Sequence, residues 1–225
     1  MKQNYLYIFI IILLFTLFIY LYLNTFYESF EQRKQQTIVL MGDSILKNDS
    51  YVSNGMSVED LLREKNKKVL CLAVDDSKII DVYEQLFKIP INLNNNNTTI
   101  FLSIGGNDIL SQYVRNDTDI TNTDALMTIF IAYKKLIKSI QTKLPNANLI
   151  LMDIYYPNNL IYKQYHNIIS EWNNLLYNYS NELKNNIYTV LKISSIVTQP
   201  EDFTFGIEPS SSGSKKIVDL ILEVN

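Results

Sequence analysis

Three short polar clusters in this chain carry residue types that could do acyl chemistry. The first is Gly42-Asp43-Ser44, the second Asp75-Asp76, the third Gly105-Gly106-Asn107-Asp108. Each closes a run of apolar residues: Ile38 to Met41, Val69 to Val74 and Thr98 to Ile104. Runs this short, bounded by turn formers, read as buried β-strands rather than helices. In an open α/β sheet, ligands bind at the carboxyl ends of the strands. A serine there is a nucleophile only if a base and an oxyanion site are supplied with it. The side-chain amide of Asn107 can donate a hydrogen bond to an anion forming on an acyl carbonyl, and the backbone N–H of Ser44 can supply a second donor. Asp43, Asp76 and Gly106, at the same strand ends, are expected to line the substrate site.

The elements that must position these residues alternate along the chain. Further strands are expected at Leu149 to Ile154 and Ile187 to Ile193. A short helix capped by Ser57 lies between the first two strands, and a helix with Ile79, Ile80, Val82, Tyr83 and Leu86 as its apolar face follows the second. Leu126, Ile129, Phe130, Tyr133, Leu136, Ile137 and Ile140 recur at helical spacing. Another helix is expected from about Leu160 to Lys184 and a closing one from Ser211 to Leu222. Near-continuous apolar strands alternating with helices imply a five-stranded parallel sheet covered on both faces, a three-layer α/β/α sandwich.

Hydrophobic residues make up 47% of the 225 and charged residues 19%, enough for a sizeable core. A net charge of −3 leaves no electrostatic footprint for nucleic acid. One cysteine, Cys71, excludes an intrachain disulfide and a thiolate zinc cluster, and in its apolar run it reads as a small hydrophobe. No metal or organic cofactor is implied.

From Tyr5 to Leu23 the sequence carries no charge. At about 1.5 Å per helical residue this length crosses a hydrocarbon core of about 30 Å. No small-residue cleavage site follows, so residues 1–27 are expected to form an uncleaved signal anchor, a single transmembrane helix. Residues 28–36 then form a linker and 37–225 the globular domain. Lys2 on one side and Arg33 and Lys34 on the other leave the orientation open. Glycosylation sequons at Asn48, Asn97, Asn116 and Asn178 would suit a luminal domain, although a chain rich in Asn produces them by chance.

From Thr37 to Leu222 the residues resemble the SGNH/GDSL hydrolases. Gly42-Asp43-Ser44 resembles the nucleophile block of that family, and Gly105-Gly106-Asn107-Asp108 its Gly-x-Asn-Asp block. The resemblance implies a flavodoxin-like sheet, Ser44 as nucleophile, Asn107 in the oxyanion hole, and hydrolysis or transfer of an ester-linked acyl group carried by a small molecule, glycan or lipid. Two departures stand out. The family's Asp-x-x-His pair falls at Phe205 and Glu208 in Phe205-Gly206-Ile207-Glu208-Pro209, and its oxyanion glycine falls at Asp76. Glu208 would then be the base. Its unperturbed pKa of about 4.3 suits a serine hydroxyl poorly unless burial raises it, and Asp202, near in sequence, is expected to raise or orient it. The bland alternative is that Glu208 caps the last helix. The single histidine, His166, lies within a helix away from any strand end. A protein that keeps the pocket to bind a glycan or lipid ester without cleaving it is the competing reading.

Overall fold

A computed structural model describes residues 13–23, 36–65, 67–115, 119, 122–182 and 190–224. The chain divides into two compact units, Met1–Gln35 and Gln36–Asn225. In the first, residues 13–23 form helix α1 with exposed side chains. The other residues of the expected anchor lie outside the described ones. Among the described residues no helix is long and apolar enough to cross a membrane, so the anchor has no support beyond the sequence.

The second unit holds a parallel sheet of order β2-β1-β3-β4-β5, formed by β2 (Lys68–Cys71), β1 (Thr37–Gly42), β3 (Thr98–Ser103), β4 (Asn148–Met152) and β5 (Val190–Leu191). This is the flavodoxin-like order. Every residue of β1 and β3 is buried, because helices cover both faces. Side chains alternate between the two cores. Val39, Met41, Ile100 and Leu102 pack with α3 (Val82–Lys88), α5 (Thr123–Lys143) and α6 (His166–Glu182). Ile38, Leu40 and Phe101 pack with α2 (Val58–Glu64) and α7 (Ser211–Glu223).

Several connections are more irregular than the periodicity suggests. After β3 the chain makes a short helix α4 (Gly106–Ile109) that runs into a π-helical turn, Leu110–Arg115. The helix expected from Leu160 begins as a 3₁₀ segment, Leu160–Tyr165. Ile80, placed on an apolar face by its spacing, precedes α3 and is exposed. A two-stranded antiparallel ribbon, β6 (Phe203–Thr204) with β7 (Glu208–Pro209), precedes α7 and has no signal in the hydrophobic pattern.

The turn after β1 admits only glycine. Gly42 has φ +129°, and a Cβ there would lie 1.7 Å from the Ser103 carbonyl oxygen. This contact draws the end of β1 against the end of β3, and so brings Ser44 towards the Gly105-Gly106-Asn107 turn. Gly105, at φ +119°, leaves room for the indole of Trp172 beneath that turn.

Candidate active site

Ser44 follows β1 by two residues and is buried, in a turn tied down by Asp43. The Asp43 carbonyl accepts from the N–H groups of Leu46 and Lys47, and its carboxylate accepts from Ile45 N–H at 3.2 Å. Among the described residues, no backbone partner is recorded for the Ser44 N–H. Asn107, in α4, donates from Nδ2 to the Ser77 carbonyl at 3.0 Å, which fixes the amide and leaves its second proton unused.

Glu208 arrives from the far end of the chain on the small ribbon, paired with Thr204. Two hydrogen bonds grip the backbone on either side of it. The Tyr155 hydroxyl donates to the Ile207 carbonyl at 2.6 Å, and Asn48 Nδ2 donates to the Pro209 carbonyl at 3.3 Å. Asn48 also donates to Ser214 Oγ at 2.5 Å and accepts from Val58 N–H at 3.0 Å, with none of its surface exposed. The sequon at Asn48 is therefore closed to glycosylation in the folded domain, while Asn97 and Asn178 are exposed and Asn116 lies outside the described residues.

Ser44, Asn107 and Glu208 line one cavity of about 60 Å³, together with Asp43 and Gly106. The rest of its wall is largely apolar and aromatic: Ile45, Ile109, Leu110, Ile154, Tyr155, Pro157, Tyr162, Tyr165, Ile169 and Ile207. Burial raises the Glu208 carboxyl above its ordinary range, and the charges of Asp75 and Asp76 add to the rise, against the downward pull of the Ser44 hydroxyl. The Ser44 hydroxyl is thus near enough to interact with this carboxylate. The other carboxylate oxygen, Oε2, is buried without a partner. Burial likewise pushes Asp43 up to about 8, against its Ile45 bond, with the Glu208 charge adding to the rise. At neutral pH Asp43 is thus largely protonated and adds no second full charge beside Glu208.

The burial of Asp43 gives a stability prediction. A carboxyl whose folded pKa is raised contributes stability that is complete below its unfolded value of about 3.9 and is lost as pH rises through the folded value. Urea midpoints are expected to fall for the parent between pH 5 and pH 8.5, and Asp43→Asn is expected to flatten that fall. An equal slope in both proteins would remove Asp43 as its cause.

The remaining sequence candidates lie elsewhere. Asp76 has φ +57°, is exposed and does not line the cavity. Its backbone N–H donates to Asp75 Oδ1 at 2.9 Å, so it is not free at the position where the family pattern has a glycine. Asp202 is fully buried away from the cavity, its carboxylate held by Thr198 N–H, Gln199 N–H, Ser212 Oγ and Lys216 Nζ. Its carboxylate is engaged in that network and not with Glu208. The ring of His166 contacts the Pro157 carbonyl through Nε2 at 3.0 Å and packs edge-on to Tyr156, outside the cavity wall. Burial pushes the Cys71 thiol up to about 12. Among the described residues, no group of three or more His, Cys, Asp or Glu is placed to hold a metal ion.

Gln85 belongs to none of the sequence motifs, yet its buried amide holds both the N–H and the carbonyl of Gly42 at 2.8 Å.

No family model and no curated protein sequence matches the chain. Solved structures do. A lipolytic G-D-S-L family protein from Veillonella parvula superposes with a TM-score of 0.63 over 84% of this chain and 97% of that one, at 18% identity. The fold is that of the SGNH/GDSL hydrolases. A family 3 carbohydrate esterase from Clostridium thermocellum gives 0.58 at 19% identity, covering 84% and 94% of the two chains. The acetylxylan esterase Axe2 from Geobacillus stearothermophilus gives 0.58 at 14%, covering 84% and 93%. Within this fold, the Glu208 carboxylate and the Ser44 hydroxyl face the same cavity.

Proposed function

We propose that this chain is a serine esterase of the SGNH type, with Ser44 as nucleophile, Asn107 and the Ser44 N–H as oxyanion donors, and Glu208 as general base. The observation that carries this reading is the convergence of Ser44, Asn107 and Glu208 on one cavity from three distant stretches of chain. Glu208 accepts the hydroxyl proton as Ser44 Oγ bonds to the acyl carbon. The carbonyl electrons move onto an oxygen held by Asn107 and the Ser44 amide. Collapse of that intermediate breaks the bond to the alcohol, which leaves with the proton from Glu208. Water, deprotonated in turn by Glu208, then releases the acid and restores Ser44.

The small apolar cavity favours a short acyl group such as acetyl, with the alcohol part outside it. Two of the structural neighbours are named as a carbohydrate esterase and an acetylxylan esterase, which favours a glycan alcohol. The uncharged stretch from Tyr5 to Leu23 supports tethering at a membrane by the amino terminus. The competing reading, an SGNH-like binding protein without turnover, draws on the carboxylate that stands where imidazole is usual.

The deciding experiment follows p-nitrophenyl acetate hydrolysis by the full chain during titration with an alkyl phosphonofluoridate. Activity that falls in proportion to label, with the adduct on the Ser44 peptide, is the expected result. No turnover of this ester or of an acetylated oligosaccharide, with Ser44 unlabelled, would favour the binding protein.

A further inference from the structure

The parallel ladder between β1 and β2 ends before the nucleophile turn does. Its register runs from Thr37↔Lys68 to Leu40↔Cys71, whereas β1 continues to Gly42 beside β3. Beyond the last paired residues, the side chain of Gln85, from α3 and 2% exposed, stands beside Gly42. Its Oε1 accepts from Gly42 N–H at 2.8 Å, and its Nε2 donates to the Gly42 carbonyl at 2.8 Å. The amide thus meets both backbone groups of Gly42, sharing its carbonyl with Val74 N–H, which donates to it at 3.0 Å. A donor and an acceptor on Gly42 allow only one orientation of that amide. The same Nε2 lies 3.3 Å from Ser77 Oγ, and the Ser77 carbonyl holds the Asn107 amide. Gln85 therefore bridges the backbone two residues before Ser44 and the residue that holds Asn107.

We propose that Gln85 is a positioning residue that fixes the nucleophile turn and, through Ser77, the oxyanion amide in one mutual geometry. It touches no reacting atom. The inference takes the roles of Ser44 and Asn107 from the esterase reading, but the mechanical link is a property of the fold. Any side chain that fills the same volume without the amide should keep the core packed and release the link. A misplacement of about an ångström at reacting groups costs about 10²-fold in rate.

The test compares the full chain with Gln85→Met and with Leu176→Ala, a core substitution in α6 that lowers stability without touching the Gly42–Ser77 bridge. All three are studied below their unfolding transitions. The readouts are p-nitrophenyl acetate kinetics and the side-chain amide resonances of Asn107 in a selectively ¹⁵N-labelled chain. In Gln85→Met, the Asn107 signals are expected to shift and exchange faster with solvent. kcat is expected to fall about 10- to 100-fold with KM within about twofold. Leu176→Ala should move neither. Asn107 signals that match the parent in folded Gln85→Met would overturn the proposal. If the parent itself shows no turnover, the esterase reading fails while the resonances still decide the link.

Discussion

Replacing Ser44 by alanine should lower kcat/KM on acyl esters by about 10⁴-fold or more, and Glu208→Gln should come close to it. The two substitutions together should cost little more than either alone, because nucleophile and base act as one unit and removing either stops the same proton transfer. Glutamine keeps the shape of Glu208 but cannot take a proton, so a loss in that variant reports chemistry rather than packing. The pH profile supplies the second half of the prediction. Glu208 must be ionised to accept the Ser44 proton, and its carboxyl is raised above the ordinary range by burial first and by Asp75 and Asp76 next. Activity should therefore fall as pH drops through that raised value, at a pH above that of a free glutamate. Neutralising the acidic neighbours with Asp75→Asn should move the limb to lower pH. Initial rates from pH 4 to pH 9 on the parent, the two single variants, their double variant and Asp75→Asn check all of this. A Glu208→Gln protein as active as the parent would remove the carboxylate from the mechanism and leave the oxyanion site and nucleophile to be explained without it.

Much of this arrangement was legible in the sequence because strands buried on both faces must be continuously apolar. Ile38 to Met41 and Thr98 to Ile104 can be nothing else, and parallel order places their polar ends along one edge. Ser44 and Asn107 followed from that. The contacts that hold them did not, because each depends on a polar residue behaving against its type. Asn48 sits in a polar stretch that reads as a surface loop, yet it is wholly buried and anchors the strand carrying Glu208. Gln85 lies in a seven-residue helix, too short for its face to be assigned from periodicity alone. Phe205 shows the converse. Its type suggests the core, but its φ of +54° at the tip of the ribbon leaves it exposed, edge-on to Tyr51. Local propensity cannot report such positions, since Asn48 and Gln85 are fixed by partners 161 and 43 residues away along the chain.

Asp202 shows the same dependence at its strongest, and its removal should cause the largest loss of stability of any single polar substitution discussed here. Its carboxylate accepts from Thr198 N–H at 3.0 Å, Gln199 N–H at 2.9 Å, Ser212 Oγ at 3.0 Å and Lys216 Nζ at 2.6 Å. Its own carbonyl accepts from Ser210 N–H at 2.8 Å, and Gly213 packs so closely on that carbonyl that a Cβ would lie 2.4 Å away. The residue thus staples the turn before the β6–β7 ribbon to the first turn of α7. Alanine would leave two backbone donors and a lysine without their acceptor, at a cost of about 3 kcal/mol. Asparagine keeps the shape and part of the bonding, and should cost about half as much. Although burial alone would raise this carboxyl, Lys216 and the N–H donors outweigh it and hold the carboxyl below its ordinary value. A depressed folded pKa means that the stabilisation is complete above the unfolded value of about 3.9 and is lost as pH falls through the folded one. Urea midpoints of the parent and Asp202→Asn should therefore differ most at neutral pH and converge in acid. A gap that stayed constant down to pH 2.5 would mean that the carboxylate charge contributes nothing. The ribbon that carries Glu208 follows Asp202 directly, so the fold places its firmest polar staple next to the loop on which the proposed base depends.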